Sequence, residues 1–247
     1  MPYQFDLRPG HRGFVLLHAL WLLLLISLLA TVAMRRSRET ATDGAAAMAV
    51  FHVEMAAESA LNIAMHELLI SGVQQLQPRL KNIDGAEVTT AVSDAIGLLD
   101  LNMADRGTLR RLVTALDLAD PDRIVAALIG ARPILAYAEI AALDGLTPAH
   151  LATLLPHITL FSRLTAPMPD AASEWLVHAL GIKRPEQKAV SDMRSSAGRV
   201  FRIETTARTK WARSRRLVAE VLITGRRDRP FLIYEWRWHA LPASPST

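Results

Sequence analysis

The chain has 247 residues, 51% of them hydrophobic, with no cysteine and a formal net charge of +4. These values exclude disulfides, thiolate metal centres and cysteine nucleophiles, and one long apolar run on an otherwise ordinary sequence excludes a multispan membrane protein. The positive charge is concentrated in residues 199–237, which hold eleven Lys/Arg against four Asp/Glu; the alternation there assigns these charges to the solvated faces of strands.

The first element lies in "RGFVLLHALWLLLLISLLATVAMRRSR". Between residues 14 and 33 the only polar side chains are His18, Ser27 and Thr31. As a helix this run spans roughly 30 Å, the thickness of a hydrocarbon core. It is longer than the apolar core of a secretory signal, and Arg35, Arg36 and Arg38 follow where a small-residue cleavage site would be needed. The run therefore reads as a retained anchor. Flanking charge does not orient it, because Arg8 and Arg12 on one side face three arginines on the other.

After a polar collar at residues 35–43 the pattern becomes amphipathic. Ala46, Val50, Val53, Ala57, Ala60, Leu61, Ala64 and Leu68 form one stripe, with Glu54, Glu58, Asn62 and His66 on another face. No proline intervenes before Pro78, so the spacing predicts one helix from Phe14 to about Val73. "GAEVTTAVSDAIGLLDLN" has strand composition around a turn at residues 93–97. "DLNMADRGTLRRLVTAL" then offers Asn102 or Asp105 as the N-cap of a helix with Leu109, Leu112, Val113 and Leu116 inward. Further helices are predicted near residues 121–129, 134–143, 148–154 and 171–180, with Asp120-Pro121 and Thr147-Pro148 as starts and Gly145 and Gly181 as ends.

"EIAALDGLTPAHLATLLPHI" has the outline of a helix-hairpin-helix, a unit that can present backbone N–H groups to phosphate. Here Asp144 sits in the turn, a second glycine is missing, and no Lys or Arg lies between Arg132 and Arg163. Packing is the reading these residues favour, and no nucleic-acid partner is expected. A membrane-anchored DNA-binding protein is the alternative from a different class. Near the C-terminus, Phe201, Ile203, Thr205 and Ala207 alternate with Arg202, Glu204, Thr206 and Arg208, and Leu217, Ala219, Val221 and Ile223 repeat the pattern. A third strand at residues 230–240 places Leu232, Tyr234, Trp236 and Trp238 on one face, expected to pack on the long helix; residues 241–247 read as a flexible tail.

Motifs for nucleotide binding and hydrolysis are missing, and the histidines are scattered. His66-Glu67 begins a zincin-like phrase that ends at Ile70, and Glu58 has no base or metal partner in view. Nothing reads as an active site, and no enzymatic activity is expected.

The junction Arg12-Gly13-Phe14, a short basic leader and then an unbroken apolar helix, resembles the type IV prepilin family. That resemblance implies removal of the leader by a prepilin peptidase after Gly13 and N-methylation of Phe14. The fifth residue of the mature chain would be His18, where most pilin-like subunits carry Glu. A missing carboxylate at this place resembles the K-type minor pseudopilin of type II secretion, as does "FHVEMAAESALNIAMHELL", with its Ala-Glu-Ser-Ala-Leu phrase. Leu101-Asn102-Met103-Ala104 is similar to that family's step into a helical insert, and "APMPDAASEWLVHALG" is similar to an eroded second phrase of it.

The resemblance implies an α+β, pilin-like fold: a long N-terminal transmembrane helix, a small antiparallel sheet and an inserted all-α (helix-hairpin-helix/SAM-like) domain. The implied boundaries are residues 1–13 leader, 14–33 assembly helix, 34–101 helix continuation and first strands, 102–197 helical insert, 198–240 closing strands and 241–247 tail. It implies a single-pass protein of the bacterial inner membrane, its N-terminus cytoplasmic and its C-terminal part periplasmic. Other minor pseudopilins, the pseudopilus and the prepilin peptidase would be its partners, and initiating or capping the pseudopilus tip its role. A minor pilin of an adhesion or uptake pilus is the alternative within the same class. Family members can bind calcium in the insert; no residues here are assigned to it, and no other cofactor is implied.

Overall fold

A computed structural model of the chain describes residues 12–72, 78–183 and 196–240. The expected leader up to His11, residues 184–195 of the expected insert and the tail 241–247 lie outside the described residues. The chain divides into two units, residues 1–51 and 52–247.

One helix, α1 (Arg12–Ser71), runs through both. It has no proline, and Gly44 is its only glycine after Gly13, so nothing interrupts the backbone hydrogen-bond ladder. In the first unit its described side chains are exposed as far as Met48, including the apolar run from Leu16 to Leu29. This part is long and apolar enough to cross a membrane. Thr31 donates to the Ser27 carbonyl at 2.8 Å, so its hydroxyl is satisfied within the helix, as a lipid environment requires.

In the second unit α1 buries Val53, Ala56, Ala57, Ala60, Leu61, Ala64, Met65 and Leu68. The packed stripe thus begins later than the periodicity suggested: Ala46 is exposed and Val50 half-buried. Its target is a five-stranded antiparallel sheet of order β1-β2-β5-β6-β7. The strands are β1 (Arg79–Ile83), β2 (Ala86–Asp94), β5 (Arg199–Arg208), β6 (Arg215–Ile223) and β7 (Phe231–Ala240). Phe201, Ile203, Leu217, Ala219 and Val221 are fully buried and meet α1 in one core, as their alternation predicts. The four alanines on the helix stripe leave room for close approach of helix and strands. Strand β1 is not among the elements that the sequence pattern predicts. It forms a hairpin with β2 through Asp84-Gly85, both at positive φ (48° and 81°), and this dipeptide is itself a hairpin signal.

Between β2 and β5 the chain builds a helical segment: β3 (Leu99–Asp100), α2 (Arg106–Ala115), α3 (Pro121–Gly130), α4 (Tyr137–Ala141), α5 (Pro148–Leu154), β4 (Ile158–Thr159) and α6 (Glu174–Leu180). It has its own core, with Leu99, Leu109, Leu112, Ile124, Leu128, Ile140, Leu154, Leu176 and Leu180 buried together. β3 and β4 pair in parallel, an element the sequence pattern did not suggest. Of the two candidate N-caps, Asp105 caps α2, accepting from Thr108 N at 3.0 Å and from its hydroxyl at 2.6 Å. Gly97 marks a close backbone approach: a β-carbon there would collide with the Ala171 carbonyl.

Strand β7 departs from its expected arrangement. A bulge in its pairing with β6 falls between Glu220 and Val221 and adds Tyr234 to the β7 side. One inserted residue reverses the parity of the strand. Trp236 and Trp238 pair with Ala219 and Leu217 of the helix-facing row, whereas Tyr234 stacks on Phe161 of the helical segment, ring centroids 4.9 Å apart. Leu232, Tyr234, Trp236 and Trp238 therefore do not share a face. Trp238 and Phe231 pack on the α1 core, while Trp236 keeps 38% of its surface exposed.

Candidate functional site

Two places carry features beyond ordinary packing. The first is the start of α1. The described helix includes the Gly13-Phe14 junction, so the expected cleavage bond lies in helical backbone. His18 stands one turn beyond Phe14. Its Nδ1 is 3.0 Å from the Phe14 carbonyl oxygen, and the two rings lie 4.1 Å apart, both exposed. The imidazole is thus turned back on its own helix, where it shields a polar group in an apolar run. Of the three residues singled out here, Phe14 and His18 are brought together, by helical spacing alone.

The second place is the seam between the sheet and the helical segment. Alternation along β5 and β6 put Arg202 and Glu220 on a solvated face. They are buried instead, 2% and 0% exposed, because the helical segment covers that side of the sheet. Arg202 reaches Glu220 with Nε at 2.9 Å and Nη2 at 2.5 Å, and its Nη1 donates to the Leu155 carbonyl at 2.9 Å. Its Nη2 also donates to the Ile158 carbonyl and, at 3.0 Å, to the Tyr137 hydroxyl. Glu220 accepts from Tyr137 OH at 2.6 Å and from Thr159 Oγ1 at 2.8 Å.

The network joins neighbouring strands of the sheet to α4, the turn after α5, and β4. A buried pair of this kind is tolerated only when nearly every donor and acceptor is used. Burial opposes the Arg202 charge, yet Glu220 and Tyr137 hold its pKa above the ordinary guanidinium value. Burial, with Glu220 alongside, pushes the Tyr137 phenol up. Arg237 completes the layer by lying over the Tyr137 ring, 3.8 Å from its centroid.

Asn102 does not cap a helix. Its side chain bonds the Ile134 backbone in both directions, Nδ2 to O at 2.9 Å and Oδ1 from N at 2.8 Å, and so ties the strand-to-helix step to the start of the α4 region. Asp100 holds the other end, accepting from Asn102 N at 2.9 Å and Arg163 N at 2.7 Å. The α4–α5 hairpin turns at Gly145, φ 88°. Asp144 in that turn is engaged by Arg123 of α3 at 2.5 Å, and this bond and ion pair hold its carboxyl below the usual range. Of the two close acids of the helical segment, Asp120 precedes α3 and Asp122 pairs with Arg110 at 3.1 Å. Glu67 is taken up by Arg79 and Lys81. Among the described residues no group of three or more His, Asp or Glu is placed to hold a metal ion.

The architecture is thus a long N-terminal helix packed on a five-stranded antiparallel sheet, with several short helices between its strands: an α+β, pilin-like fold. Among solved structures it is similar to a chain of the GspK-GspI-GspJ complex from the enterotoxigenic Escherichia coli type 2 secretion system. The match has a TM-score of 0.50 at 14% identity and covers 83% of this chain and 99% of that one. No family model and no curated protein matches. At this identity the likeness establishes the fold.

Proposed function

We propose that the chain is a minor pseudopilin of the K type, cut after Gly13, methylated on Phe14, and active at the tip of a periplasmic pseudopilus during protein export. The observation that carries this reading is a helical segment with its own core set between β2 and β5 of a sheet that packs on a long, N-terminally apolar helix. A helical segment of this bulk in the head suits a subunit with nothing stacked above it. His18 supports the same position, since a subunit with no neighbour ahead has no terminal amine for a carboxylate to meet.

In this reading residues 14–33 lie in the inner membrane before assembly and among neighbouring helices afterwards, with the leader cytoplasmic and the rest periplasmic. Residues 102–197 form the insert and 198–240 close the pilin-like sheet. The similar solved chain comes from a complex of GspK with GspI and GspJ, which supports other minor pseudopilins as partners. The work would be mechanical, driven by helix and head contacts.

Expressing the full chain with and without a prepilin peptidase, and measuring the mature N-terminus by mass spectrometry, tests the proposal. Loss of the residues through Gly13 and a methyl group on Phe14 are expected, both abolished by Gly13→Val. An unshortened chain in the presence of active peptidase would remove the assignment.

A further inference from the structure

On the side of the sheet that faces the helical segment lies a cavity of about 170 Å³. Its floor carries Arg202, Arg216, Arg237 and His239, with Glu204 as its carboxylate, and its roof is the apolar edge of α5 and the turn that follows. The lining side chains sum to three arginines less one glutamate. Glu220 and Glu235 stand behind Arg202 and Arg237.

The three guanidinium groups are not equivalent. Arg202 is saturated by Glu220, Tyr137 and two carbonyls, whereas Arg216 gives only its Nη2 to Glu204 and stays 36% exposed, with donors left over. Arg237 meets Glu235 at 3.2 Å, but its Nε is buried without a hydrogen bond, so that contact is an ion pair of poor geometry. Its side chain is only 16% exposed. Burial lowers its pKa most, against the pull of Tyr137 and Glu235. A guanidinium withdrawn from water with donors poorly used is costly, and an oxyanion facing its fork would repair the deficit with strong, charge-assisted bonds. The apolar roof strengthens any such bond by lowering the local dielectric.

We propose that this cavity binds a phosphoryl oxyanion, with Arg237, Arg216 and His239 as its donors. A planar carboxylate is satisfied by one guanidinium fork, whereas donors arriving from two neighbouring strands and from both ring and guanidinium groups suit a tetrahedral anion. His239 is held below its usual value by burial first, then by Arg237 and Arg216, so a bound anion moves its titration upward. The phosphoryl group can belong to free phosphate or to a phospholipid headgroup.

The test uses the full chain in detergent micelles, with labelled inorganic phosphate in equilibrium dialysis at low ionic strength and the His239 ring followed by NMR. One saturable phosphate per chain is expected, with the His239 titration shifted up on binding. Arg237→Met should weaken binding by at least about tenfold and His239→Gln by about threefold, while Arg213→Gln on the exposed β5–β6 loop leaves it unchanged. Dihexanoyl phosphatidylglycerol that displaces the label identifies a lipid source, and failure to displace it identifies free phosphate; both uphold the site. No saturable binding, or binding insensitive to both Arg237→Met and His239→Gln, overturns it. His239→Gln keeps the test decisive should Arg237→Met unfold the seam.

Discussion

The two faces of the sheet are held by different physics. The face against α1 has an apolar centre: Phe201, Ile203, Leu217, Ala219 and Val221 meet the alanine and leucine stripe of the helix, and charges pair only at its half-exposed margins, Glu54 with Arg215 and Glu67 with Arg79 and Lys81. The face against the helical segment is built around Arg202, Glu220 and Tyr137, all buried and mutually bonded. Non-directional burial suits a helix that needs only an apolar groove. Directional bonds suit a segment that must dock in one register, because an offset would leave a buried charge without its partner.

The largest effect should come from breaking the polar face. Arg202→Met strands the Glu220 carboxylate among Tyr137 and Thr159 and should cost about 3–5 kcal/mol, read by urea unfolding of the full chain in detergent. The apolar face offers the matching test. Leu61→Ala, at a site fully buried against the sheet, should cost about 2–5 kcal/mol through lost burial and a residual cavity. Its effect should be independent of pH, since no charge is exposed or removed.

A smaller effect is expected within the helical segment itself. Asp105→Ala removes the α2 cap and should cost about 0.5–2 kcal/mol. The Thr108 hydroxyl and N–H hold the Asp105 carboxyl below its ordinary value. Its folded pKa is thus below the unfolded one, so the cap contributes fully above the usual carboxylate range and fades as the pH falls through the folded value. The mutant and the parent chain should therefore converge in stability in acid. A constant difference down to the lowest pH would exclude the charged cap.

The same contrast explains what could be read from the residues. The α1 face was legible because its period is simple: three- and four-residue spacing on the helix against alternation on the strands. The short helices were legible through Pro121, Thr147-Pro148 and the glycines at 145 and 181. Their bounds came out shorter where no cap anchors the predicted start, as at α4. The polar seam was not legible. Alternation assigns a strand residue to a face but does not say what covers that face, so Arg202 and Glu220 read as solvated. One signal was present: they sit on central strands next to rows of apolar residues, where a third layer is the usual cover. The β7 bulge escaped for a related reason. An inserted residue reverses parity without changing composition, so Tyr234 and Trp236 looked like neighbours on one face. At the start of α1, Gly13, Phe14 and His18 drew attention through resemblance and spacing, and the helix accounts only for the contact between the last two.

The central claim is that directed bonds between Arg202 and Glu220, and not mere burial, seat the helical segment on the sheet. A double-mutant cycle tests it most directly, with Arg202→Met, Glu220→Leu and the combined variant unfolded under identical conditions. The account predicts that each single change costs several times more than the pair, and that the double variant returns to within about 1 kcal/mol of the parent. Strictly additive losses would contradict it, because the two side chains would then contribute separately and the seam would owe nothing to their pairing.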